Sequence, residues 1–209
     1  MDKIISMKVI SQSDCAIGDV VQSLRDGQTL VYPTETCYGL GCDATNTAAV
    51  ERVFAIKKRQ KNKPVLVLMA RVAMAIEYIA WNPTIERLAH RYWPGALTIV
   101  APPKDLADFA PGVLGPRGMV AFRVTSHPLA QELCAGLNRP LVSTSANIAS
   151  LESPYDIKDV LAMFSHAEHQ PDMVIDAGSL PHESPSTIVR VVGETIEVLR
   201  QGEVVIRDK

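Results

Sequence analysis

Three short stretches of this 209-residue chain gather side chains able to hold anions, sugars or amino acids. The first, "KKRQKNKP", runs from Lys57 to Pro64 and crowds Lys57, Lys58, Arg59, Lys61 and Lys63 together. Such a run is a solvated helix end, a nucleic-acid patch or a clamp for a polyphosphate, and by composition alone the solvated end is the larger expectation. Lys57 continues the helix face of Val50, Val53 and Phe54. Arg59, two residues on, falls on another side if the helix persists. The two converge on one ligand only if the helix ends or bends near Lys58. Pro64 favours an early stop, because it biases Lys63 toward extended backbone.

The second stretch, "RPLVSTSANIASLESP", is an apolar strand ending in consecutive hydroxyls and an asparagine. In extended backbone Ser143, Ser145 and Asn147 face the same side, a row of neutral donors and acceptors suited to phosphate, ribose or an amino-acid carboxylate. The competing expectation is a capped turn, since Ser and Asn form turns readily. The third, "YPTETCYGLG", reads as a strand followed by a glycine-containing loop that carries Thr34, Glu35, Thr36 and Tyr38. An ordinary glycine turn explains it equally well. No complete G-x-G-x-x-G and no G-x-x-x-x-G-K-[ST] occurs, so a bound nucleotide is held in neither of those modes.

The elements that must position these groups follow from periodicity. Ile17, Val20, Val21 and Leu24 recur at helical spacing up to Gly27, and "TLVYPT" then reads as a strand. Asn46 caps a helix with Ala49, Val50, Val53 and Phe54 on one face. "PVLVLMA" is a buried strand, and Asn82-Pro83 opens a helix through "TIERLAHRYW". "ALTIVAPP" and "MVAFRV" are strands on either side of a Pro/Gly loop. The second half continues with a helix at "HPLAQELCAGLN", a strand at "RPLVST", a helix at "DIKDVLAMFSH" and a strand at "DMVIDAG". A hairpin turns at Gly193-Glu194. Alternating strands and helices predict an α/β fold, the hairpin predicts a mixed sheet, and the absence of a linker predicts one domain over 1–209.

Composition narrows the function classes. With 47% hydrophobic residues the chain builds a sizeable core, and 21 basic against 23 acidic residues leave a net charge of −2, so affinity for RNA must be local. No apolar run approaches the ~20 residues of a membrane span, and "MDKIISMKVI" lacks the features of a secretory signal, so no membrane partner is expected and the expected compartment is the cytoplasm. Cys15, Cys37, Cys42 and Cys134 show no CxxC pairing and are read as reduced thiols. His166 and His169 lack a third ligand nearby and read as a solvated turn.

Taken in order, "YPTETCYGLGCDA", "KKR…KP", "WPGALTIV", "AFRVTSHPLA", "RPLVSTSAN", "PSTIV" and "LRQG" resemble the YrdC-like family of threonylcarbamoyl-AMP synthases over nearly the whole chain. The resemblance implies a twisted mixed sheet flanked by helices around a basic concave cleft. It implies ATP contacts at Lys57, Arg59, Lys63, Ser145, Asn147, Ser153 and Arg200. It places L-threonine against Thr36, Arg123, Ser143 and Ser186, with Arg123 on the carboxylate. Lys58 and Lys61 carry no implied role. L-threonine and bicarbonate give an N-carboxy-threonine whose oxygen attacks the α-phosphorus of ATP in line and expels pyrophosphate. That chemistry needs positioning and charge neutralisation, with Mg²⁺ the implied cation, and no side-chain nucleophile.

The product is threonylcarbamoyl-AMP, passed to a separate tRNA threonylcarbamoyl-transferase complex, with direct tRNA binding left open. Closure over the unstable intermediate makes residues 105–116 a candidate lid, the alternative being an ordinary surface loop. The chain departs from the family at Lys58 (usually Gly), Gln60 (usually Pro) and Arg190 (often acidic), and the glycine often found after S-x-N is missing. A related branch keeps the fold but lacks K-x-R and S-x-N, whereas this chain has both. The alternative reading is a non-catalytic member that binds tRNA or rRNA in the cleft. A carbamoyl-transfer domain of hydrogenase maturation is the third, usually embedded in a longer chain.

Overall fold

The computed structural model describes residues 7–60, 63–105 and 107–207. Lys61, which the resemblance leaves without a role, lies outside the described residues. Ten strands form one mixed sheet in the order β1-β8-β2-β3-β7-β4-β6-β5-β9-β10. They are β1 (Lys8–Ser11), β2 (Leu30–Pro33), β3 (Tyr38–Gly41), β4 (Leu66–Met69), β5 (Leu97–Ala101), β6 (Val120–Val124), β7 (Leu141–Ser145), β8 (Met173–Asp176), β9 (Thr187–Val192) and β10 (Thr195–Arg200). The α-helices among the described residues are α1 (Ile17–Arg25), α2 (Thr47–Lys57), α3 (Val72–Tyr78), α4 (Pro83–Tyr92), α5 (Pro128–Leu137) and α6 (Ile157–Phe164). The predicted caps are in place: Asn46 Oδ1 accepts from Ala49 N at 3.1 Å and Asn82 Oδ1 from Ile85 N at 2.9 Å.

Period-two alternation sorts strand residues onto two cores. Leu30, Tyr32, Leu68, Leu141, Met173 and Ile175 pack under α1 and α5. Their neighbours Val31, Val67, Val142 and Val174 pack with residues of α2, α3, α4 and α6 on the other face. The α1/α5 core stops at β4 and includes no residue of β6, β5 or β9. There the same sheet face presents Thr98, Ala121, Arg123 and Ile188, which line a cavity.

The structure differs from the sequence reading in four places. "YGLG" is strand β3, paired antiparallel with both β2 and β7, where a loop is expected. Its two glycines carry little strand propensity, and flanking strands impose the conformation. Tyr38 is therefore not a loop residue; it is buried, and its hydroxyl donates to Gly178 O at 2.8 Å. The short helix α3 and the edge strand β1 carry no clear periodic signal, and α3 buries only Met74 and Ala75. In the candidate lid, Phe109, Ala110 and Val113 are buried. Ala110 N donates to Ala44 O at 2.9 Å and Val65 N to Gly112 O at 3.0 Å. The described part of 105–116 is packed into the helical core and lines none of the site cavities below, so it is not placed as a lid. Apolar residues at 109, 110 and 113 outweigh the Pro/Gly content that suggested mobility.

Gly41 permits β3 and β7 to close: a Cβ there would meet Val142 O at 2.0 Å, whereas one at Gly39 meets side-chain atoms at 3.1–3.2 Å. Gly41→Ala is expected to destabilise the protein by on the order of 3 kcal/mol, and Gly39→Ala by less. Urea unfolding midpoints of the two variants measure the difference.

Candidate active site

The α2 face formed by Val50, Val53 and Phe54 ends in Lys57, and the chain then turns through Lys58 at φ 49°, ψ 39°. Lys58 N donates to Ala55 O and Arg59 N to Phe54 O, the bond pattern of a Schellman termination. This is the left-handed position that glycine occupies without cost and other residues at roughly 1 kcal/mol, which accounts for glycine in the family pattern. The turn sends Lys57 and Arg59 to different walls of one region. Arg59 Nε donates to Lys63 O at 2.8 Å and its Nη2 to Pro64 O at 2.9 Å, folding the basic segment back on itself.

Lys57 is not solvated; it is 2% exposed. Its Nζ donates to Ser145 O at 2.5 Å, Asn147 O at 2.7 Å and Asn147 Oδ1 at 2.9 Å, matching the three donors of an ammonium. Ala149 N donates to Lys57 O at 2.8 Å, so backbone and side chain of one residue grip the loop after β7. Ser145 Oγ donates to Asn147 Oδ1 at 2.6 Å, and Asn147 Nδ2 donates to Leu151 O. Burial, then the nearby Arg59 charge, push the Lys57 pKa down to about 7. The three acceptors oppose this by favouring the ammonium.

Every residue singled out by the resemblance lies in one of two adjoining cavities. The central one, about 270 Å³, is lined by Thr36, Arg59, Arg123, Ser143, Ser145, Ser153, Ser186 and Arg200. The second, about 340 Å³, is lined by Lys57, Arg59, Lys63, Ser145 and Asn147, so Arg59 and Ser145 form the shared wall. Ser143 and Ser145 face one side as expected for a strand, while Val142 and Ala146, at alternate positions, are buried in the opposite core, and Asn147 lines the second cavity together with Ser145. Small strand residues open the space: Gly39, Thr98 and Ala121 line the floor where other strands carry Leu or Val.

Arg123 is 3% exposed and pairs through Nε with Glu35 Oε1 at 3.3 Å, without hydrogen-bond geometry. Thr125 Oγ1 donates to Glu35 Oε2 at 2.6 Å and holds that carboxylate from behind. Arg200 donates from Nη2 to Ser186 O at 2.7 Å and to Ser186 Oγ at 3.1 Å, and Ser186 Oγ also shares a hydrogen bond with Thr98 Oγ1 at 2.9 Å. On the facing loop, Thr34 Oγ1 donates to Cys37 O at 2.7 Å and shares a 3.2 Å bond with Thr36 Oγ1. Burial lowers the pKa of Arg59; burial and then Arg123 lower that of Arg200. Burial raises the Cys37 thiol. Two pairs of cations, Lys57 with Arg59 and Arg123 with Arg200, thus oppose each other's charge. A bound polyanion would relieve both.

Sequence reasoning passed over Thr98 and Tyr155, which line the central cavity. Thr98 was readable as the one hydroxyl inside the apolar strand "LTIVA"; Tyr155 follows Ser153 in a loop with no periodic cue. The departures from the family are accommodated locally. Arg190 sits opposite Glu197 across the β9–β10 hairpin and pairs with it, and Gln60 lines the second cavity. All four cysteines are free. Among the described residues, no group of three His, Cys, Asp or Glu could hold a metal ion, and no helix is long and apolar enough to cross a membrane.

Comparison with known proteins places this geometry. The threonylcarbamoyl-AMP synthase of Aliivibrio fischeri is 31% identical over 189 residues, covering 89% of this chain and 98% of its own length. That of Vibrio cholerae is 35% identical, covering 87% and 95%. The crystal structure of P. abyssi Sua5 complexed with L-threonine matches with TM-score 0.83 at 28% identity, over 94% of this chain; the chain spans 57% of that protein's length. E. coli YciO, at 24% identity and TM-score 0.81 over 97% of this chain and 98% of its own, shares the fold. The family model for Sua5, YciO and YrdC proteins, described as "Telomere recombination", matches residues 22–202, a span that holds all three polar stretches and both cavities; the chain belongs to the Sua5/YciO/YrdC family.

Proposed function

We propose that the chain, acting as one domain over 1–209, is an L-threonylcarbamoyladenylate synthase. It makes threonylcarbamoyl-AMP and diphosphate from L-threonine, bicarbonate and ATP. The observation that carries this reading is the pair of adjoining cavities, one cationic and one lined by hydroxyls and the buried Arg123, which meet at Arg59 and Ser145. A nucleophile and a leaving pyrophosphate on opposite sides of one phosphorus need such an arrangement.

In this reading the triphosphate lies in the Lys57, Arg59, Lys63, Asn147 cavity. Lys57 supplies a positive charge fixed by its three acceptors, and Arg59 reaches from the shared wall. Ser145, Ser153 and Arg200 contact the α-phosphate side. Arg123 receives the threonine carboxylate, with Thr36, Ser143 and Ser186 around the side chain and amine. The threonine amine and bicarbonate form the carbamate with loss of water, and a carbamate oxygen attacks the α-phosphorus in line; the P–O bond to the pyrophosphate breaks, and its electron pair leaves with the pyrophosphate. The protein forms no covalent intermediate. Glu35, the carboxylate beside the central cavity, is engaged by Arg123 and Thr125, so a protein-held Mg²⁺ does not fit this donor set. The product then serves a tRNA threonylcarbamoyl-transferase complex in the cytoplasm. Burial of Lys57 and Arg123 inside cavities weighs against a groove that binds RNA without turnover, which uses exposed cations and stacking surfaces.

Three measurements test the reading. Pyrophosphate release is expected only when ATP, L-threonine and bicarbonate are all present; release that persists with threonine or bicarbonate omitted refutes it. Arg59→Ala is expected to raise the KM for ATP about 10- to 100-fold, as loss of a charge-assisted contact does, with a smaller effect on threonine. Arg123→Ala should reverse that order. The nucleotide complex raises the Lys57 pKa from about 7, so the complex binds more protons than the free protein, and ATP affinity should fall as pH rises from 7 to about 9. Titration calorimetry across that range measures the slope, which Lys57→Met should abolish.

A further inference from the structure

Arg123 is 3% exposed and, among the described residues, donates no hydrogen bond. A guanidinium buried with its donors unmatched carries a cost that another group must offset. Its ionic partner is Glu35, whose Oε1 lies 3.3 Å from Arg123 Nε; both atoms are buried and neither is hydrogen-bonded. Glu35 sits in the turn between β2 and β3, and in the sheet order β2-β3-β7-β4-β6 that turn reaches past β7 and β4 to meet β6. It is anchored there through its other oxygen, which accepts from Thr125 Oγ1 at 2.6 Å. Thr125 is itself buried and fixed: its hydroxyl accepts from His127 N at 3.2 Å and its carbonyl from Gln131 Nε2 at 2.7 Å. Thr34, Thr36 and Cys37 line the central cavity with Arg123, whereas Glu35 is not among its lining residues. The carboxylate therefore stands behind the guanidinium as seen from the cavity.

We propose that Glu35 is the built-in counter-ion of Arg123, and that its charge makes this subsite select a zwitterionic amino acid over a simple carboxylate, an inference that rests on the function proposed above. The pair has no directed hydrogen bond, so Glu35 supplies Arg123 with charge rather than a fixed orientation. The two charges sum to zero, which makes the burial of Arg123 tolerable. A ligand carboxylate that meets Arg123 from the cavity is attracted by the guanidinium and repelled by the carboxylate behind it. An α-ammonium on the same ligand is drawn toward Glu35 and recovers part of that loss. A ligand without the ammonium recovers none of it, so the discrimination comes from the field and needs no contact with Glu35. Arg200 is the other charge acting on Arg123, and its Nε and Nη2 are held on Ser186 O, so Glu35 sets the balance from the opposite sign.

Titration calorimetry on the full chain reads the selection, with L-threonine and with 3-hydroxybutyrate, which keeps the carboxylate and hydroxyl and lacks the amine. Wild type is expected to bind L-threonine about 10-fold or more tightly than 3-hydroxybutyrate. Glu35→Gln keeps the shape and removes the charge. It should tighten 3-hydroxybutyrate about 10-fold and L-threonine by a smaller factor, so the ratio between them falls. Its urea unfolding midpoint should drop as well, because Arg123 is left uncompensated. If Glu35→Gln does not fold, Glu35→Asp, which draws the charge back by one methylene, should shift the ratio the same way by a smaller factor. Weakening of both ligands by Glu35→Gln marks a merely structural residue and overturns the inference, as does an unchanged ratio in the variant that folds. A wild-type protein that binds the two ligands equally also overturns it while leaving the threonine site standing. A wild-type protein that does not bind L-threonine overturns the parent reading and this one with it.

Discussion

The grip of Lys57 on the loop after β7 is the constraint on which the site depends. One ammonium, removed from water, satisfies two carbonyls and an amide oxygen of Ser145 and Asn147, and the Lys57 carbonyl takes the N–H of Ala149. Desolvating a lysine is costly, and it is tolerated here because all three of its donors are matched. The result joins the end of α2, on one face of the sheet, to the exit of a central strand. Arg59, Ser145 and Asn147 therefore hold fixed mutual positions before any ligand arrives, which is the condition for electrostatic assistance without reorganisation.

A second consequence is charge crowding. Lys57 lies near Arg59, and Arg200 near Arg123, with Glu35 the carboxylate directly engaged. Such an arrangement is unfavourable in isolation and is offset elsewhere by a well-packed core on both sheet faces. The same crowding favours polyanions. The sheet contributes by omission: α1 and α5 cover one end of a face, and the uncovered end carries Gly, Ser, Thr and Ala where a covered strand carries Leu or Val. The cavity floor is thus a sheet surface where small side chains leave room around Arg123 and Ile188.

Much of the architecture was legible locally. The α1, α2, α4, α5 and α6 helices follow from 3.6-residue periodicity with Asn46 and Asn82 as caps, and the β9–β10 hairpin from its Gly193-Glu194 turn. Strand β3 was not, because its two glycines read as a loop and only pairing with β2 and β7 makes it a strand. Nor was the packing of residues 109–113, where Pro and Gly content pointed to mobility while three apolar side chains entered the core. Alternation at the end of β7 was legible: Ser143 and Ser145 keep one direction, Val142 and Ala146 enter the opposite core, and Asn147 lines the second cavity with Ser145.

The sequence by itself determined which residue types are available and which elements carry them: a basic run ending a helix, hydroxyls leaving a strand, an arginine inside β6, and motif order across nearly the whole chain. Tertiary structure decided what those residues are for. Whether Lys57 is solvated or buried depends on a partner 88 residues away in sequence, a contact no local pattern encodes. The left-handed turn at Lys58, the depth at which Arg123 meets Glu35 and the two adjoining cavities arise likewise only when distant strands close. Local periodicity reports each residue's neighbours along the chain, whereas the electrostatics of a site depend on its neighbours through space.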